Sequence, residues 1–182
     1  MNNQEIEKKL EELIETKHNE LNLGKDYTAQ FSKIRDFEGN AVGQIGEDFF
    51  KHILSKRTKI IDDGIIHTEY DVKTESGIYF EIKTARKGRT NNTFQFNGIN
   101  PKYNYNYLIC IGLCEDKALF KMFCKDEIQY VHKERKHFII QGDFKKQLVM
   151  MNPNNENNLK LTCSLKELYN IEQLIVELDA VL

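Results

Sequence analysis

The chain of 182 residues predicts an α/β domain with a mixed central sheet of four to five strands flanked by helices. Three observations point there. Apolar residues recur at helical spacing near both ends and once between them. Tyr107-Leu108-Ile109-Cys110-Ile111-Gly112-Leu113 is a continuous apolar run, as in a central strand covered on both faces. Residues 68–85 set two runs rich in Tyr, Val, Thr, Ile and Phe around the polar turn Glu75-Ser76-Gly77, which predicts a β-hairpin. The length suits one domain, divided into an N-terminal helical arm (1–39), a core (40–150) and a C-terminal strand and helix (159–182).

The first helix spans 3–22, with Ile6, Leu10, Leu13, Ile14 and Leu21 on one stripe and Gly24 as its stop. It reads as scaffold or dimer contact. The second, 40–56, buries Val42, Ile45, Phe49, Ile53 and Leu54, while Gly43 and Gly46 weaken it and invite a close approach. Lys59-Ile60-Ile61 is a short strand, followed by a turn at Asp62-Asp63-Gly64 in which the two acids are turn residues rather than ligands. His67 beside the strand reads as structural. After the hairpin and the apolar run, Ala118–Phe123 makes another strand across a loop at 114–117. Residues 125–148 predict a short helix, the basic cluster His132–His137 and a short strand at Phe138-Ile139-Ile140. Asn152–Asn158 is a linker or long turn, and 159–163 adds an edge strand. Ser164-Leu165-Lys166-Glu167 fits a capping box at the start of a last helix that carries Leu168, Ile171, Leu174, Ile175 and Leu178.

Chemistry concentrates in the hairpin. With Glu75-Ser76-Gly77 as the loop, Thr74 faces Ile78, and counting back sets Asp71 opposite Glu81. The period of two puts Lys83 on the same face, while Val72, Phe80 and Ile82 turn to the core with Tyr70. Directly opposed residues have Cβ atoms roughly 5 Å apart, where like charges are destabilising. A divalent cation with a preference for hard oxygen ligands would cancel that repulsion.

The pattern Asp71, then Glu81-Ile82-Lys83 across a hairpin, resembles the PD-(D/E)xK nuclease superfamily over residues 40–125. Tyr70 stands where that motif has Pro. The resemblance implies a restriction-endonuclease-like core and a Mg²⁺ site formed by Asp71, Glu81 and the Ile82 carbonyl. It also implies that an acid from the preceding helix completes the site, and Glu47 matches that role in type and order. The alternative for Glu47 is an i, i+4 pair with Lys51, and for Glu81 a plain surface pair with Lys83. Catalysis is thus expected from Glu47, Asp71, Glu81 and Lys83, leaving a 3′-hydroxyl and a 5′-phosphate.

From Thr84 to Tyr107 the chain has Arg86, Lys87, Arg89 and Lys102 and no acid. Asn91, Asn92, Gln95 and Asn97 are interleaved with Phe94, Phe96, Tyr103, Tyr105 and Tyr107. Cations contact phosphate, amides pair with base edges and aromatic rings stack or wedge, so this stretch is expected to contact DNA. A solvated loop over packed aromatics is the alternative. The formal net charge is only −2, but residues 41–152 carry 18 basic against 14 acidic groups, and the acidity sits at the ends.

The expectation is a Mg²⁺-dependent endonuclease acting on double-stranded DNA, most like a type II restriction enzyme. It would work as a homodimer with a cognate methyltransferase encoded nearby. A repair or Holliday-junction-resolving nuclease, or a non-catalytic DNA-binding module, are the alternatives. The four cysteines, Cys110, Cys114, Cys124 and Cys163, lack zinc-ligand spacing. No membrane span or signal peptide is expected, and the expected location is cytoplasmic.

Overall fold

A computed structural model describes residues 3–21, 29–88, 90–132, 137–140, 146–152 and 155–182. Three helices, α1 (Asn3–Glu20), α2 (Gly39–Ser55) and α3 (Ile171–Val181), accompany two sheets. The first sheet contains β1 (Ile60–Ile61), β2 (Val72–Thr74), β3 (Tyr79–Arg86), β5 (Tyr107–Leu113), β6 (Ala118–Cys124) and β11 (Tyr169–Asn170), in the order β1-β2-β3-β5-β6-β11. The second contains β4 (Thr93–Ile99), β7 (Ile128–His132), β8 (His137–Ile140), β9 (Lys146–Met150) and β10 (Leu159–Ser164), in the order β4-β10-β9-β8-β7. The first sheet is mixed: β3 and β5 run parallel with Glu81 beside Leu108 and Lys83 beside Cys110, and its other pairs are antiparallel.

Strand parity explains the layering. In β3 and β5 the side chains of Phe80, Ile82, Ile109 and Ile111 join a core with α1, α2 and α3, and those of Ala85, Leu108 and Cys110 join a second core beneath β4 and β10. Strands apolar on both faces need cover on both, and the helices supply only one side. The second sheet supplies the other, through Phe94, Phe96, Leu148, Leu159, Leu161 and Cys163. The chain is thus α/β with a mixed sheet flanked by helices, as expected, and the correction is the second sheet and the strand number beyond the four or five expected. Residues 159–164 are correspondingly not an edge: β10 lies between β4 and β9, with Leu161 opposite Phe96 and Cys163 opposite Phe94.

Two helix expectations are also corrected. Among the described residues of 125–148 the helical part is the 3₁₀ turn Lys125–Glu127, and strands follow it. The Ser164–Glu167 capping box forms, but closes only the 3₁₀ turn Leu165–Glu167. Leu168 belongs to the second core and Ile171 to the first, so the chain must pass the edge of β6 between them. A helix through 168 and 171 would keep both on one face. In α1 the stripe is Ile6, Leu10, Ile14 and His18, whereas Leu21 is exposed. The expected stop Gly24 and residues 133–136 of the basic cluster lie outside the described residues. Among the described residues, no helix is long and apolar enough to cross a membrane.

Candidate active site

The hairpin forms with the register the sequence predicts. Val72 pairs with Phe80 and Lys73 with Tyr79, and the Thr74 amide donates to the Ile78 carbonyl at 2.9 Å. Gly77 sits at φ 85°, a left-handed turn conformation that glycine adopts without a Cβ penalty. At Asp71 the regular ladder breaks, so Asp71 does not stand in register opposite Glu81 as the count from the turn expects. Its amide donates to the Phe80 carbonyl (2.9 Å), one residue off the register that pairs Val72 with Phe80. This is the geometry of a β-bulge, which bends a strand and re-aims a side chain. The Asp71 carboxylate turns onto the edge of β3, where Oδ2 accepts the Ile82 amide at 2.6 Å.

Burial then dominates the electrostatics. Glu81 is 3 % exposed, faces the second sheet and pairs with the Lys83 ammonium. Burial, together with the charges of Asp71 and Glu47, pushes Glu81 up to about 7 despite Lys83. Burial also raises Asp71, with Glu47 adding to it and Lys83, the Ile82 amide and Lys51 opposing. For Lys83 burial disfavours the charge, but the Glu81 and Asp71 carboxylates outweigh it and the ammonium is held above its ordinary value. Behind Glu81, burial and the same carboxylate raise Tyr105, whose hydroxyl has no hydrogen-bond partner among the described residues.

Glu47 projects from α2, which packs directly on β3 because Gly46 carries no side chain. A Cβ there would stand 1.8 Å from Thr84 Oγ1. Gly43 has no such neighbour, so only Gly46 answers to a close approach. Glu47 is at once the helical partner of Lys51 (2.5 Å) and a charge felt by Asp71 and Glu81. The expected i, i+4 pair with Lys51 is therefore present, and the charge of Glu47 also reaches Asp71 and Glu81. Lys51, which the sequence offers only as that partner, is raised: burial opposes its charge, and Glu47, Asp48 and Asp71 outweigh burial. Three carboxylates thus converge on two ammonium groups.

The 84–107 stretch divides. Phe94 and Phe96 are fully buried and Tyr105 is 3 % exposed, so these rings are core rather than base-stacking groups. Tyr103 packs against the same core. Arg86 donates to the carbonyls of Ile34 (3.3 Å) and Arg35 (2.5 Å), fastening the 3₁₀ turn Ser32–Asp36 to β3. Lys102 lies 3.7 Å from Glu156. Lys87, Asn91, Asn92, Gln95 and Asn97 are exposed, and Arg89 lies outside the described residues. Asn91, Gln95 and Asn97 border a cleft of about 300 Å³ between β4 and the first turn of α2, with Thr84 in its wall.

Among the described residues, no group of three or more His, Cys, Asp or Glu side chains is close enough to hold a metal ion without rearrangement. The donor chemistry still suits Mg²⁺, which takes one or two carboxylates and keeps several waters rather than filling an all-protein cage. Asp71 and Glu81 are two nearby carboxylates, both raised chiefly by burial, with Lys83 opposing. The chain matches no protein-family model and no curated protein.

Proposed function

We propose that this chain is a metal-dependent endodeoxyribonuclease that hydrolyses phosphodiester bonds in double-stranded DNA. The observation that carries the reading is the convergence of Asp71, Glu81 and Lys83 at a bulged hairpin, with Glu47 within charge range. A plain surface hairpin does not bury a carboxylate pair and a lysine together, because desolvation costs more than the ion pair returns. Sites that do chemistry keep such groups.

Asp71 and Glu81 would hold Mg²⁺, together with the Ile82 carbonyl and with Glu47 directly or through water. Bound there, the ion would supply Lewis-acid polarisation of the scissile phosphate. Glu81 pairs with Lys83, so the same carboxylate would serve both the ion and the ammonium. Lys83 then orients the attacking water and stabilises the charge that develops on the phosphoryl oxygens. Lys51 holds Glu47 at 2.5 Å.

Sequence-specific cleavage of the type II restriction kind is favoured over shape recognition by the exposed amides Asn91, Gln95 and Asn97, which line one cleft and suit base edges. Cutting both strands would then call for a homodimer, and protection of host DNA for a cognate methyltransferase. The test is a digest of mixed-sequence plasmid DNA with Mg²⁺, against EDTA and a Lys83→Ala control. Discrete bands that need both metal and Lys83 are the expected result. Cutting of branched DNA alone would keep the chemistry and replace the substrate. No cleavage by folded protein would overturn the proposal.

A further inference from the structure

The parallel strands β3 and β5 end side by side, with Arg86 beside Leu113. In open α/β sheets, ligands collect outside the carboxyl ends of the strands. A cavity of about 340 Å³ opens there, and its wall carries Arg35, Arg86, Lys87 and Glu115 beside Leu113 and Cys114. Three segments build that wall: the end of β3, the end of β5 and the 3₁₀ turn Ser32–Asp36. They are tied to one another. The Phe31 amide donates to the Glu115 carbonyl (2.8 Å) and the Lys87 amide to the Leu113 carbonyl (2.9 Å), while Arg86 Nη1 holds the Ile34 and Arg35 carbonyls. Charge in the cavity does not balance. Three cations face one acid, and Glu115 pairs with Arg35 at 3.4 Å. Arg86 uses only Nη1 on the carbonyls, and among the described residues neither its Nε and Nη2 nor the Lys87 ammonium takes a partner. The nearest further charges, Asp116 and Lys117, are of opposite sign and offset each other.

We propose that this cavity binds a phosphate monoester, the dianionic end group of a free nucleotide or of a DNA strand with a 5′-phosphate. A monoester carries about −1.5 to −2 charge at pH 7, which matches a surplus of two cations. A backbone diester brings a single negative charge, and a duplex lays its diesters along a surface rather than into a recess. The open edge of the Arg86 guanidinium offers N–H donors in the planar fork that fits phosphate oxygens, and Lys87 adds a point charge. Because the 3₁₀ turn and both strand ends are already fastened, little ordering is left for the ligand to impose. The site narrows the DNA contact expected of Arg86 and Lys87 to one chemical group. It shares no residue with the cluster of Asp71, Glu81 and Lys83, and it stands apart from the nuclease reading.

The test is calorimetric titration of the full chain in EDTA, which keeps cleavage out of the measurement. The probes are dAMP, deoxyadenosine and dimethyl phosphate. The expected result is saturable binding of dAMP, none of deoxyadenosine, and dimethyl phosphate weaker by roughly tenfold or more. Lys87→Glu should weaken dAMP by roughly tenfold or more. Lys87 is exposed, so that variant's unfolding midpoint should match wild type. Lys8→Glu makes the same change in net charge on α1, outside the cavity, and should leave dAMP binding unchanged. A short DNA strand with a 5′-phosphate, beside the same strand without it, then separates the two sources. Competition with dAMP by the phosphorylated strand alone assigns the group to a DNA end; competition by neither assigns it to a free nucleotide, and either supports the site. Equal competition by both strands, or dimethyl phosphate binding as tightly as dAMP, would overturn the proposal in favour of a backbone contact. No binding of dAMP, or binding that Lys87→Glu leaves intact, would also overturn it. Each of these failures leaves the nuclease reading to the plasmid digest.

Discussion

Replacing Glu81 by Gln should stabilise the metal-free protein at alkaline pH and abolish the proposed DNA cleavage. The native carboxyl stands near 7 against an ordinary 4.5, so between those values the folded state binds more protons than the unfolded state. Stability therefore falls as pH rises through that window, and below it the penalty disappears. At roughly 1.4 kcal/mol per unit the full shift corresponds to about 3 kcal/mol, and sharing with Lys83 and Asp71 reduces the expected effect to about 2 kcal/mol. Lys83 stays charged throughout, so losing its partner offsets the variant's curve without tilting it. The assay is urea unfolding followed by circular dichroism in EDTA, from about pH 5 to about pH 8.5. Wild type should lose about 2 kcal/mol relative to Glu81→Gln across that range. Mg²⁺ near pH 8 should then raise the wild-type midpoint and leave the variant's unchanged. Parallel curves for the two proteins would refute the reasoning, because they would show Glu81 ionised without the cost that its burial imposes.

Lys83→Ala should lose cleavage by at least a hundredfold while retaining DNA affinity, read by single-turnover kinetics beside a filter-binding titration. Gly46→Ala should destabilise the fold by about 1–3 kcal/mol, since its methyl would meet Thr84 Oγ1. An unchanged unfolding midpoint would contradict the close α2–β3 packing. Arg86→Ala and Lys87→Ala should separate by assay. The first lowers thermal stability, because its guanidinium holds the Ile34 and Arg35 carbonyls. The second leaves stability alone and lowers the slope of log affinity against log salt by about one.

What the sequence disclosed followed the range of each signal. The hairpin register was legible from Val72 to Ile78 because its loop is three residues and its period is two, but the same count set Asp71 opposite Glu81, where the ladder in fact breaks. The α2 stripe was legible for the same local reason, and all five expected residues are buried. The second sheet was not. Phe94 and Phe96 alternate with Gln95 and Asn97, which is a strand pattern, yet their amide and cation neighbours suggested a DNA-facing loop. Which reading wins depends on β10, some sixty residues further along, whose Leu161 and Cys163 stand opposite them. Pairings at that separation leave no mark within either segment alone. The break between Leu168 and Ile171 was hidden likewise, because two cores exist only once both sheets do.

The site shows a different limit, set by one residue that departs from the resembled pattern. Tyr70 occupies the place where a proline would fix the backbone ahead of the acid. A proline acts there by restricting φ and withdrawing an amide donor. Tyr70 does neither, and yet the ladder breaks at Asp71 and the carboxylate turns onto the Ile82 amide. The ring supplies an alternative constraint: it lies between His67 and Tyr79, and so ties the loop that precedes Asp71 to the first residue of β3. Tyr70→Ala should therefore leave β2 and β3 paired but free Asp71 from the Ile82 amide. Amide hydrogen exchange reads this directly, as faster exchange at Ile82 with Thr74 still protected. If Ile82 exchanges no faster in Tyr70→Ala, the bulge is set by the hairpin alone and the aromatic stack serves only the loop.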